Sequence, residues 1–379
     1  MGLLGATLPD FPWDSLVPAR QQAAKHPDGV VDLTIGTPVD SVPQVIQDAL
    51  SQAADAHGYP QTIGTPDLRE AIVGWLGRHR GVTGTVGVLP TIGSKEIVAL
   101  LPSLLGLGSS DTVAFPRAAY PTYDVGARLA GARPLPIDTD AAPESWPAGI
   151  TFLWLNSPGN PDGHVLDVEH LRRIVAWARV NNVLIASDEC YAQLPWDVQE
   201  APSILDARVC GEDYSGIFSL YSVSKQSNMA GYRAAFIAGD QQRLAALTEI
   251  RKHSGFLMPT PVQNAMVVAL NDEAHVDAQR EVYRRRRNAL LGVLEQSGLR
   301  NDPNSVAGLY IWAEYVREGV SAWDIVNACA RLGIVVAPGD FYGEAGKGRV
   351  RISLTATDWA IEQAVARLPQ LPAELGNPA

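Results

Sequence analysis

Apolar residues alternate between two textures along this chain. Short runs that are apolar throughout recur: 30–38 (VVDLTIGTP), 111–116 (DTVAFP), 150–156 (ITFLWLN), 183–189 (VLIASDE), 216–224 (GIFSLYSVS) and 232–239 (YRAAFIAG). Each is the length of a strand, and strands without a polar face belong in a sheet covered on both sides. Between them lie stretches with helical spacing: 43–56, 66–80, 94–105, 121–131 and 168–181. Pro43 and Pro66 stand where helices start, and Gly93 precedes the third stretch.

Strands alternating with helices predict an α/β chain with a doubly wound, mostly parallel sheet over roughly 40–265. Beyond it the texture changes. A long helical stretch at 262–299 contains Arg284 to Arg287, read as a solvated face. YIWAEY (310–315), a helix over 321–332, IVVAPG (334–339) and VRISL (350–354) then predict a smaller α+β part. Residues 1–39 are assigned with 266–379 to that second domain. No repeat or low-complexity tract interrupts the pattern.

Composition narrows the function. The 379 residues carry 30 Lys plus Arg against 41 Asp plus Glu, a net charge of −11. That sign disfavours non-specific binding to nucleic acid or acidic membranes. Cys190, Cys210 and Cys329 have no CxxC spacing and fit a reducing compartment. The apolar opening lacks a basic flank, and no 18-residue apolar run follows, so a cytoplasmic location is expected. The seven histidines show no metal-ligand spacing, and no metal is expected. Dinucleotide and P-loop fingerprints are missing.

In open α/β sheets, ligands sit beyond the carboxyl ends of strands. The polar residues there are Asn156-Ser-Pro-Gly-Asn160-Pro-Asp-Gly163, Asp188-Glu-Cys-Tyr191 and Ser222-Val-Ser-Lys225. Gly231-Tyr-Arg233 opens the next strand, and Gly93-Ser94-Lys95 opens a helix. A lysine, a carboxylate, a phenol, an amide, an arginine and a helix N-terminus converge. Together they suit a phosphorylated, ring-shaped electrophile with one basic nitrogen.

This order of motifs, from Gly36-Thr-Pro38 to Arg351-Ile-Ser-Leu354, resembles the aspartate aminotransferase family of pyridoxal-phosphate (PLP) enzymes, fold type I. The resemblance implies a role for each residue. Lys225 would form the Schiff base and shuttle the substrate's Cα proton. Asp188 would pair with the pyridine nitrogen and keep it protonated. Tyr191 and Asn160 would hydrogen-bond the ring's O3′. Ser222, Arg233 and the amides of Gly93, Ser94 and Lys95 would hold the phosphate. Tyr120 would stack on the ring. Tyr59 would reach the phosphate of a neighbouring subunit in a homodimer with shared sites. Arg351 would clamp the substrate α-carboxylate beside Gly36, whose missing side chain allows close approach.

Two departures stand out. Asp162 replaces the commoner Thr, and Ala235 stands where many members have Gly. The opening LPDFPWD, 36–43 and 230–240 are similar to an actinobacterial branch, the N-succinyldiaminopimelate aminotransferases. This implies amino transfer between glutamate and N-succinyl-2-amino-6-oxopimelate. The alternatives are a broader aminotransferase for aspartate, aromatic or other amino acids, and a C–S β-lyase. A dicarboxylic substrate needs a second cationic group, for which Arg20 and Lys252 are candidates.

Overall fold

A computed structural model describes residues 8–376. The first seven residues of the apolar opening lie outside the described residues, as do the last three. Among the described residues, thirteen strands occur in chain order: β1 (Val31–Asp32), β2 (Gly87–Ile92), β3 (Thr112–Pro116), β4 (Arg133–Ile137), β5 (Phe152–Asn156), β6 (Leu184–Asp188), β7 (Ile217–Ser222), β8 (Ala234–Gly239), β9 (Leu299–Asn301), β10 (Tyr310–Tyr315), β11 (Ile334–Val335), β12 (Ala337–Pro338) and β13 (Arg349–Ser353).

Seven of them form one sheet, in the order β2-β8-β7-β6-β5-β3-β4. β8 runs antiparallel to both its neighbours, and the other pairs are parallel. β5, β6, β7 and β8 are almost wholly buried, because helices cover both faces. This is the doubly wound, mostly parallel α/β architecture that the apolar runs implied, and it agrees with the fold type I that the family resemblance implied. The chain order reverses between β3 and β5, so a crevice opens there at the strands' carboxyl ends. β8 begins where its antiparallel neighbours β2 and β7 end, which brings Arg233 to that same edge.

The helices follow local chemistry. In the helix Pro66–Arg80, Thr65 caps the Leu68 amide at 3.3 Å, and Gly81 ends it at φ 67°. Its inner stripe, Leu68, Ile72, Trp75 and Leu76, is buried. A four-stranded antiparallel sheet, β12-β13-β10-β9, makes the second layered unit. Leu16, Ala19, Val31 and Leu33 pack into its core with residues such as Ile325, Ile352 and Leu368.

Several expectations need correction. Only Val31 and Asp32 of the run 30–38 pair as a strand. The stretch 334–339 divides between two sheets. The stretch 262–299 is two helices, Thr260–Asn271 and Ala274–Leu294, parted at Asp272-Glu273. Nor are Arg284 to Arg287 a uniformly solvated face. Arg286 is buried and bridges Asp40 (2.7 Å) and Asp358 (2.7 Å), and buried Arg287 meets Asp197 at 2.5 Å. At 3.6 residues per turn, four consecutive residues must include some that face inward, and here acids meet them.

Candidate active site

Strand ends, one helix start and the second sheet enclose a cleft of about 760 Å³. Lys225, Asp188, Tyr191, Asn160, Ser222, Arg233, Ser94, Lys95, Tyr120, Arg351 and Gly36 all line it. Asp188 ends β6 and is buried. Its Oδ2 accepts from the Tyr123 hydroxyl at 3.0 Å and its Oδ1 from the Cys190 amide at 3.3 Å. Burial pushes its carboxyl above the usual range, and these two donors offset only part of that. A cation beside it would restore the charged form.

Lys225 follows β7, in the turn that β7 delivers to the crevice. Its Nζ donates to the Gly36 carbonyl. Desolvation by burial lowers its pKa, so the free amine becomes more available. Ser222 Oγ bonds Ser224 Oγ at 2.8 Å. Arg233 sits in the left-handed region, φ 57°, with one Nη donating to the Ala230 carbonyl at 2.8 Å. Its guanidinium lies so close to Gly93 that a Cβ there would come within 2.1 Å of Nη2. Gly93 has φ 71° and immediately precedes the helix Ser94–Leu104. Guanidinium, hydroxyls and a helix N-terminus therefore surround one small space, a cradle for a phosphate.

Arg351, from β13, is buried. Its Nη1 donates to Asn160 Oδ1 (2.9 Å) and its Nη2 to the Thr34 carbonyl (2.6 Å), while Nε has no partner among the described residues. An unpartnered buried guanidinium nitrogen suits an incoming carboxylate. The donor set thus fits PLP and an amino acid together: an acid for the ring nitrogen, a lysine for the aldehyde and an anion cradle. Among the described residues no cluster fits a metal ion.

Tyr59 is not in the cleft. It is 98% exposed on the loop before the helix Pro66–Arg80. Of the two candidates for a second cation, Lys252 lies on the helix Gln241–Ser254, paired with Glu249, away from the cleft. Arg20 borders the cleft, but Asp32 and Thr34 already hold it. Lys95 instead lies 5.7 Å from the Phe11 ring and 6.0 Å from the Tyr120 ring, and forms no ion pair among the described residues.

Sequence reasoning passed over Tyr123 and Tyr310. Tyr123 stands three residues after Tyr120, which would place both on one face of a helix starting there; that spacing was a usable signal. Tyr310 opens YIWAEY, where only tertiary packing reveals a neighbour.

The Aminotransferase class I and II family model matches residues 28–368. The chain is 51% identical to the 4-dedimethylamino-4-oxo-anhydrotetracycline transaminase of Streptomyces rimosus, covering 95% of this chain and 99% of that one. It is also 51% identical to a probable aminotransferase of Mycobacterium tuberculosis, over 97% of this chain and 87% of the relative. Among solved structures, a probable N-succinyldiaminopimelate aminotransferase from Thermus thermophilus superposes with a TM-score of 0.84 at 28% identity, over 95% and 100% of the two chains. The chain belongs to the class I and II aminotransferases, PLP-dependent enzymes of fold type I that act on amino acids and oxo acids.

Proposed function

We propose that this aminotransferase moves an amino group between glutamate and N-succinyl-2-amino-6-oxopimelate. The observation that carries this reading is the pair of cationic seats in one cleft: Arg351 and Lys95, the first with its Nε and the second with its ammonium unpartnered among the described residues. The acceptor has an oxo acid at its reacting end and two further carboxylates at its far end. Arg351 holds the reacting end's carboxylate, and Lys95 meets a far one. The Thermus structure bears the matching name. The family resemblance to the N-succinyldiaminopimelate branch points the same way.

PLP, when bound here, would supply an electron sink for the bond broken at the substrate's Cα. Lys225 carries the cofactor and moves the proton at Cα. Asp188 holds the proton on the ring nitrogen, and Tyr191 and Asn160 donate toward O3′. Ser222, Arg233 and the amides at Gly93, Ser94 and Lys95 hold the phosphate, with Tyr120 across the ring face.

The test is a panel of oxo acids offered to the pyridoxamine-loaded enzyme, following cofactor absorbance. N-succinyl-2-amino-6-oxopimelate is expected to react fastest, and a faster monocarboxylic or aromatic oxo acid would overturn the reading. Lys95→Ala keeps the backbone amide and removes the distal cation. It should raise KM for 2-oxoglutarate roughly tenfold, the loss of one charge-assisted hydrogen bond, and leave KM for pyruvate nearly unchanged.

A second reading has its own observation. Phe11 and Trp13, whose rings are 5.4 Å apart, form an aromatic wall of the cleft with Tyr120. A flat polycyclic ketone suits such a wall, and the Streptomyces relative is named for one. The same panel, extended to a polycyclic ring ketone, separates the two.

The assembly we propose is a homodimer with shared sites. A tyrosine 98% exposed on a loop finds its partner on a neighbouring chain, here the phosphate of the other site. The interface should be two-fold and above ~2,000 Å². Tyr59→Phe should weaken PLP retention roughly tenfold. A mixed dimer of Tyr59→Phe and Lys225→Ala chains has one site with both defects and one with neither. Activity should therefore rise on subunit exchange, when PLP is scarce enough to leave Tyr59→Phe sites empty. An active monomer in sedimentation would refute the sharing.

A further inference from the structure

Tyr310 is a buried phenol at the floor of the cleft for which the roles above have no use. It opens β10, opposite Ser353 of β13, two register pairs from the strand position of Arg351. The Arg351 guanidinium lies over its ring, 3.9 Å from carbon to centroid. Its hydroxyl is 3.3 Å from that of Tyr191. The same oxygen is pressed against the Gly36 backbone, where a Cβ would come within 2.0 Å of it. Gly36 in turn accepts from Lys225 through its carbonyl. Thus one phenol is wedged among the proposed carboxylate clamp, the lysine and the O3′ donor, and Gly36 leaves room for it.

The direction of the Tyr191–Tyr310 hydrogen bond follows from counting protons. A tyrosine hydroxyl has one proton and two lone pairs. If Tyr191 donates to O3′, its proton is spent, and a bond to Tyr310 requires Tyr310 as donor. The surroundings favour that direction. Lys225 and Arg351 face Tyr310, along with the phenols of Tyr191, Tyr342 and Tyr283. Burial raises the Tyr310 pKa, but the positive charges of Arg351 and Lys225 act against it, the phenol lies below its ordinary value, and Tyr310 is the more acidic of the pair. Tyr191 lies above its ordinary value through burial. The more acidic hydroxyl donates to the less acidic one.

We propose that Tyr310 is a positioning residue that donates to the Tyr191 oxygen, so that Tyr191 turns its only proton toward O3′ of the cofactor. Hydrogen bonds in a chain polarise one another, so the Tyr191 bond to O3′ is stronger with Tyr310 behind it. The inference rests on the proposed role of Tyr191, and the experiment separates the two.

The readout is the pH midpoint of the bound cofactor's visible absorbance in the holoenzyme. A donor at O3′ lowers that midpoint. Tyr191→Phe should therefore raise it by a unit or so, about the worth of one hydrogen bond. Tyr310→Phe should raise it by about half a unit, the cooperative share. In a Tyr191→Phe background, Tyr310→Phe should add nothing, because the relay is already cut. Phe keeps the ring under Arg351, so KM for glutamate should stay within about twofold. Tyr310→Leu removes the ring as well and should raise that KM. Each variant's PLP content checks that the site is intact.

A midpoint unmoved or lowered by Tyr310→Phe, while Tyr191→Phe raises it, overturns the relay alone. A midpoint unmoved by Tyr191→Phe overturns the O3′ role of Tyr191 and the relay with it. Equal shifts from Tyr310→Phe in both backgrounds show independent action and also overturn the proposal.

Discussion

Lys225→Ala is expected to reduce turnover by at least about 10³-fold and to leave the cofactor removable by dialysis. Two losses combine. The amine is the proposed covalent anchor, and it is also the group positioned to move the Cα proton. Proton transfer by a positioned side chain is commonly worth 10²- to 10⁴-fold by itself, to an order of magnitude. Apart from its bond to the Gly36 carbonyl, the Lys225 amine does not hold the phosphate cradle together. The chain's other contacts, Ser222 with Ser224 and Arg233 with Ala230, stay in place in the variant. PLP should therefore still bind through its phosphate, but with the spectrum of a free aldehyde. Borohydride reduction followed by peptide mapping should label Lys225 in the native enzyme. A label on another lysine, such as Lys95, would transfer the anchor there. An alanine variant that turns over at near-native rate would remove the role altogether.

The sheet was legible wherever its strands were apolar throughout. β3, β5, β6, β7 and β8 each fall inside a run expected to be a strand, trimmed by a residue or two. The strands that escaped notice are the two edges. β2 contains Pro90, and β4 contains Pro134 and Pro136. Proline cannot donate to a ladder and weakens the strand signal, yet an edge is where a sheet tolerates it. The helix Gln241–Ser254 was also missed. It carries little amphipathic pattern, with Arg251 fully buried inside it and paired to Glu96 at 2.7 Å. A buried ion pair is invisible to a hydrophobic period. The line-up of Lys225, Asp188, Tyr191, Asn160, Ser222 and Arg233 was legible because each follows or precedes a recognisable strand. Arg351 and Tyr310 come from the second sheet. Only the folded packing of β10 and β13 against Gly36 puts them at the first sheet's edge. Asp162, flagged as a departure, sits beside His164 in a partly buried knot with Asp140 and Asp302. Those acids, acting against burial, raise the His164 pKa to about 10. This charge pattern needed three separate segments to meet.

Asp188→Asn should separate catalysis from stability. Turnover should fall by several orders of magnitude, because an amide cannot hold a proton on the ring nitrogen as a carboxylate does. The opposite charge beside a cationic ring raises that nitrogen's pKa. The protein without cofactor should respond in the other direction. The folded pKa of Asp188 is raised by burial. Its contribution to stability is then fully present below the unfolded value near 4 and lost as pH rises through the folded value. At neutral pH the ionised, buried carboxylate costs stability that asparagine does not. Asparagine can also keep both neighbours satisfied. Its Oδ1 accepts from the Cys190 amide, and its Nδ2 donates to Tyr123, whose hydroxyl can turn to accept. Cofactor-free Asp188→Asn is therefore expected to melt at or above the native chain at pH 7.5, with the difference vanishing near pH 4. Added PLP should raise the native melting temperature more than the variant's, since only the carboxylate gains a charge partner. Melting curves with and without PLP at the two pH values read all of this. A variant that melts well below native at pH 7.5 without cofactor would show that the Asp188 carboxylate stabilises the fold, and near-native turnover would remove its role at the ring nitrogen.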